Sequence, residues 1–136
     1  MSRGKLEEKI NLETAKIYKE MLGKGPERVS TTFCEDFIII RVVGASTIIF
    51  NHLSSTDKGQ EVLKSMRRRL FELFEGEAKK RYEKVVNKKV KEIFYNYLKS
   101  ERQIILTIML WMDIIYNYWK IKELSGDSIF MTQFFI

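Results

Sequence analysis

The chain has 136 residues, 45% hydrophobic and 31% charged, with a formal net charge of +6. That size fits one domain with a full core, and the composition excludes extensive disorder. One cysteine, Cys34, excludes an internal disulfide framework, and the first eight residues hold no apolar stretch of the signal-peptide kind, so a cytoplasmic location is expected.

Leu6, Ile10, Thr14, Ile17 and Met21 recur at helical spacing, with charges filling most of the other face. Gly23 suits the left-handed position after a helix, and Pro26 blocks continuation. Val29, Thr31 and Phe33 then alternate with polar residues as in a strand with one buried face. Phe37–Val43 is almost continuously apolar and predicts a strand covered on both faces, reached through a tight turn at Glu35-Asp36. Gly44 ends it. Ser46 or Thr47 is placed to cap a short helix carrying Ile48, Ile49, Phe50 and Leu53, and residues 54–59 read as a loop.

A long helix is predicted from Gln60 to Asn87, with Leu63, Met66, Leu70, Leu73, Phe74, Ala78, Tyr82 and Val85 as its buried stripe. Gly76 inside it suggests a kink or close packing. The period then falls to two. Ile93, Tyr95 and Tyr97 share one strand face, and Ile104, Leu106, Ile108 and Leu110 share one face of the next. The order α-β-β-α-α-β-β predicts an α+β fold: a mostly antiparallel sheet of two hairpins with helices on one face. Residues 1–110 form the expected single domain. Residues 111–136 form an apolar extension, with a helix over Trp111–Ile121 that packs on the domain or on a second subunit. The run from Ile104 to Trp119 is apolar but interrupted by Thr107, Asp113 and Asn117, so it reads as strand then helix, with no transmembrane span.

With these elements in order, the chain resembles the MpsC-like family of small bacterial proteins. That family is named for a sodium-translocating, membrane-potential-generating system and was long carried as a domain of unknown function. The resemblance rests on Leu22-Gly23-Lys24-Gly25-Pro26-Glu27, on the strand Phe37–Val43 with Gly44, and on Val62-Leu63-Lys64-Ser65-Met66-Arg67-Arg68. It covers Leu6 to Leu110. Where the family has Leu-Thr-x-x-Glu after the second strand, Ala45-Ser46-Thr47-Ile48-Ile49-Phe50 keeps the threonine and lacks the glutamate. The resemblance implies a small accessory protein tied to bioenergetics, and implies no catalytic residues.

Chemistry-bearing candidates are few. Gly23, Lys24, Gly25 and Glu27 could present backbone amides and a lysine to an anion or small ligand, although the segment closes a helix where a P-loop would open one. Arg67, Arg68, Lys79 and Lys80 form a candidate basic patch for nucleic acid or an anionic surface. Interleaved Glu72 and Glu75 offer the i,i+4 pairs Arg68–Glu72 and Glu75–Lys79, which favours a solvated face. His52 is the only histidine and has no metal-ligand spacing around it, so no metal and no cofactor are expected. Cys34, beside Glu35 and Asp36, reads as a buried or inert thiol. Trp111, Tyr118, Trp119, Phe134 and Phe135 concentrate aromatics late in the chain and suggest a homodimer interface. The leading expectation is a non-enzymatic, dimeric interaction module that meets a membrane system through partner proteins.

Overall fold

A computed structural model describes residues 2–98 and 102–111. Seven elements follow in chain order: α1 (Arg3–Leu22), β1 (Arg28–Cys34), β2 (Phe37–Val43), α2 (Ile48–Leu53), α3 (Asp57–Val86), β3 (Val90–Leu98) and β4 (Gln103–Leu110). The strands form one antiparallel sheet in the order β1-β2-β4-β3. The α+β class and the order α-β-β-α-α-β-β are those expected from the sequence.

Each boundary has a local cause. The Ser2 side chain caps α1 by accepting from the Lys5 N–H, and α1 stops at Gly23, which takes φ 79° and returns its N–H to the Lys19 carbonyl. The stretch read as a loop before the long helix is shorter than expected. The Thr56 side chain accepts from the Gly59 N–H and starts α3 at Asp57, three residues before Gln60. Asn87 ends α3 in the left-handed region at φ 56°.

The alternation in the strands becomes two different faces. Ile38, Ile40 and Val42 of β2, Ile104, Leu106, Ile108 and Leu110 of β4, and Ile93 of β3 point toward the helices and are buried. Ile10, Ile17 and Tyr18 of α1 and Tyr82 of α3 close over them in a single core. Val90 and Ile93 both reach this core because β3 carries an irregularity between Val90 and Glu92, which restores the inward phase. Within the core, the Thr14 and Tyr82 hydroxyls lie 2.7 Å apart and join α1 to α3.

Three expectations are corrected. Leu73 does not belong to the buried stripe of α3; it is 69% exposed, because it faces away from the side of the helix on which Phe71, Phe74 and Ala78 meet the core. Gly76 is not a close-packing site, since a Cβ there would meet nothing within 4 Å. Cys34 is exposed, not buried. Residues 99–101 between the strands of the second hairpin, the expected helix over Trp111–Ile121 beyond its first residue, and the apolar tail lie outside the described residues.

Gly59 is the tightest position in the helical layer. A Cβ there would sit 1.8 Å from the Leu53 carbonyl oxygen, a backbone atom that cannot swing away. Gly59→Ala is expected to destabilise the fold by about 2 kcal/mol or more, measured as a lower urea midpoint at unchanged slope, while Gly76→Ala should be neutral or stabilising.

Candidate functional site

Two features stand out once the sheet is built: a pair of adjacent cavities at one end of the sheet, and the sheet face that the described helices leave uncovered.

The cavity begins where β2 and β4 end together. Register pairs Val43 with Gln103, so Gly44 and Arg102 leave the sheet side by side, and the Gly44 N–H donates to the Arg102 carbonyl at 3.3 Å. Both take the left-handed region, at φ 70° for Gly44 and φ 52° for Arg102. Arginine is rarely found there, and such backbone costs of order 1 kcal/mol or more. Gly44 has a second constraint, because the Glu27 side chain lies across it where a Cβ would be.

α2 and the start of α3 fold over this corner. Together they enclose a polar cavity of about 190 Å³ lined by Gly44, Ser46, Asn51, Ser54, Gln60, Arg67, Tyr97 and Arg102, with Ala45, Phe50 and Ile104 as apolar walls. The Arg67 guanidinium carbon lies 3.6 Å from the Tyr97 ring centroid, a cation–π stack that fixes its direction. Phe50 is buried between α2 and the sheet, and Thr47 holds α2 in place by accepting from the Phe50 N–H at 3.2 Å.

Ala45, Phe50, Arg67 and Ile104 also line a second, mostly apolar cavity of about 60 Å³ that runs between α1, α3 and the sheet. Its walls are Ile17, Tyr18, Met21 and Leu22 of α1, Leu70, Phe71, Phe74 and Ala78 of α3, and Ile93, Tyr95 and Leu106 of the sheet. Three tyrosines point into this layer. Burial pushes the Tyr82 hydroxyl up to about 12, against the pull of its Thr14 hydrogen bond. Burial also raises Tyr18 far above the usual phenol value. Tyr95 is pushed up to about 12 by burial, partly offset by the Arg67 charge. Its hydroxyl is buried without a hydrogen-bond partner among the described residues, an unusual state for a native polar group.

The second feature is the outer sheet face. Phe37, Ile39 and Val43 of β2 alternate outward, beside Ile105 and Met109 of β4 and Phe94 and Leu98 of β3. Most are half-buried, and Phe94 is 49% exposed. Exposed Ser30 and Thr32 of β1 form a polar rim. A solvated antiparallel face normally alternates to polar residues; this one is largely apolar, interrupted in its middle by Arg41 of β2 and Thr107 of β4.

The residues singled out from the sequence fall differently. Gly23 and Lys24 are exposed at the helix stop, and the Glu27 N–H donates to the Val43 carbonyl at 2.9 Å, so the segment turns the chain into the sheet. None of Gly23, Lys24, Gly25 and Glu27 lines the two cavities. The basic residues are divided. Arg67 enters the cavity wall, Lys79 bridges Glu75 at 3.5 Å and Glu92 at 3.6 Å, and Arg68 and Lys80 are exposed. Glu72 pairs with Arg69 at 3.7 Å rather than with Arg68. Arg81, next to Lys79 and Lys80 in the same basic run, is bound to Glu13 and, at 2.6 Å, to Glu20. His52 is exposed on α2. Trp111 is half-buried and its ring lies 5.3 Å from the Lys91 ammonium, whereas Tyr118, Trp119, Phe134 and Phe135 lie outside the described residues. Sequence reasoning missed Arg102 and its meeting with Gly44. The available signal was register: both sit just beyond strand ends that pair with each other.

A family model described as "Na+-translocating membrane potential-generating system (MpsC)" matches residues 2–110. The chain belongs to the MpsC family. Its match ends with β4, so it takes in every element of the sheet and both cavities. An uncharacterized protein, YrhF, of Bacillus subtilis (strain 168) is 26% identical over 96 residues, covering 70% of this chain and 78% of that protein. No solved structure gives a significant match. No helix among the described residues of this MpsC-family chain is long and apolar enough to cross a membrane.

The buried phenols make an alkaline prediction. Tyr82 ionises near 10 when unfolded and at about 12 when folded. The stability it contributes is therefore complete below pH 10 and is lost as pH rises from 10 to 12. Denaturant melts should show folding stability falling by up to ~1.4 kcal/mol per pH unit from this residue across that window, and Tyr82→Phe should flatten the decline.

Proposed function

We propose that this MpsC-family chain is a non-enzymatic accessory protein of a membrane-potential-generating system, cytoplasmic and self-associating as a homodimer through its outer sheet face. The family description supports the link to membrane-potential generation. The single observation that supports self-association is the largely apolar surface of that face, Phe37, Ile39, Ile105, Met109 and Phe94, interrupted by Arg41 and Thr107 and edged by Ser30 and Thr32. Apolar centres with polar rims are the usual anatomy of protein interfaces.

A second copy is the occupant we favour. A face of this kind can meet its own copy about a twofold axis, sheet against sheet at ~10 Å separation. Trp111 leads out of β4 beside it, and Tyr118, Trp119, Phe134 and Phe135 follow in a sequence segment with more aromatic surface than a domain of this size readily hides. Contact with membrane components would then run through partner proteins.

The basic-helix alternative gains less support. Arg69, Lys79 and Arg81 are each engaged by carboxylates of the same chain, while Arg68 and Lys80 stay exposed, so the cationic face of α3 is partly neutralised.

Sedimentation equilibrium on the full chain tests the reading. The expected mass is twice 16.2 kDa at micromolar concentration, shifting to the monomer in Phe94→Glu. A strict monomer for the unsubstituted chain would sink the dimer, and a dimer untouched by both Phe94→Glu and Ile39→Ser would remove this face from it.

A further inference from the structure

We propose that the joined cavities bind a small organic anion with an apolar body, by class a medium-chain carboxylate. The lining of the polar cavity includes two arginines, Arg67 and Arg102, and no acidic residue. Elsewhere the chain pairs its inward-facing cations: Arg81 holds Glu13 and Glu20, and Lys79 holds Glu75 and Glu92. Arg67 and Arg102 have no carboxylate partner among the described residues. Two like charges facing one enclosed space repel each other, and an anion between them reverses that. Guanidinium forks match the planar, two-oxygen geometry of a carboxylate.

The head site shares walls with the apolar cavity. Ala45, Phe50 and Ile104 belong to both cavities, and Arg67 stands at the junction. A ligand held at the arginines therefore extends its body toward Leu70, Phe71 and Phe74. Glu75, the acidic residue on the apolar cavity's lining, is paired with Lys79 at 3.5 Å. The Tyr95 hydroxyl, buried there without a partner, offers a further donor or acceptor. Size limits the occupant. Cavities of about 60 Å³ and about 190 Å³ are below the ~300 Å³ at which drug-sized sites begin, which suits one short chain and excludes a two-chain lipid.

Arg102 holds its place at a backbone cost. Its positive φ and the Gly44 N–H bonded to its carbonyl fix its backbone at the cavity wall. Strain of this kind collects at binding sites, where the surrounding structure enforces it.

The test is a titration of the full chain with octanoate, acetate and octanol below micellar concentrations, followed by methyl and tyrosine resonances. Octanoate should bind at least tenfold tighter than acetate, which lacks the body, and than octanol, which lacks the charge. Arg67→Gln and Arg102→Gln should each weaken octanoate about tenfold and leave octanol unchanged, with Arg67→Lys retaining more affinity than Arg67→Gln. If loss of the Tyr97 stack unfolds the Arg67 variants, Arg102→Gln carries the test alone, because that residue is exposed on a turn. Octanoate binding no tighter than acetate or octanol, or unaffected in every folded arginine variant, overturns the proposal.

Discussion

The hydroxyl pair Thr14–Tyr82 is the contact on which the helical layer depends. α1 and α3 are far apart in the chain, and each must lay one face on the same sheet. Thr14 is fully buried and Tyr82 nearly so, so neither hydroxyl can turn to water. Each satisfies the other at 2.7 Å, and replacing one alone would leave a buried polar group unpaired at a cost of about 1–3 kcal/mol. The pair sets the lateral position of the two helices. Beside it, Arg81 of α3 reaches Glu13 and Glu20 on either side of Thr14 and ties the same two helices at the surface. The helices are thus fastened along one stretch and free to diverge toward α2, where the cavities lie.

Much of this arrangement was legible locally. The period of two in Ile104–Leu110 and the helical period in Leu6–Met21 each fix a face, because a strand or an amphipathic helix in a domain this small has one core to meet. Gly23 and Pro26 announced the end of α1 for reasons of backbone conformation alone. Errors came where one residue type serves two purposes. Ser54–Gly59 is rich in the small polar residues that make loops, and the same Thr56 hydroxyl that suits a loop caps a helix. Leu73 is one helical step from Leu70 but points away from the side on which Phe71, Phe74 and Ala78 meet the core. The Arg68–Glu72 pairing failed by one residue, since i,i+3 and i,i+4 partners are nearly equivalent on a helix surface.

The cavity was far less legible, for a different reason. Its residues come from the end of β2, the α2 turn, early α3, β3 and the start of β4. No local pattern joins them. They meet because β4 inserts between β2 and β3, and only the pairing of Val43 with Gln103 puts Gly44 against Arg102. The Lys24 and Gly25 amides were attractive from sequence because glycines concentrate there, yet that turn lies outside both cavities. Side-chain charge was a poor guide as well, since Arg69, Lys79 and Arg81 of α3 hold acids of the same chain.

The strand order has a kinetic side. β4 is the fourth strand in the chain but sits second from one edge, hydrogen-bonded to both β2 and β3. During synthesis α1, β1 and β2 emerge first and can associate, yet the inner edge of β2 stays open until residues 103–110 arrive. That edge belongs to Phe37–Val43, apolar almost throughout, the sort of segment that pairs wrongly when left bare. More than fifty residues separate β2 from the strand that closes it, and closing so long a loop is slow relative to local helix formation. Arg41, exposed in the middle of that segment, puts a charge where a bare apolar edge would otherwise invite a foreign strand during the wait.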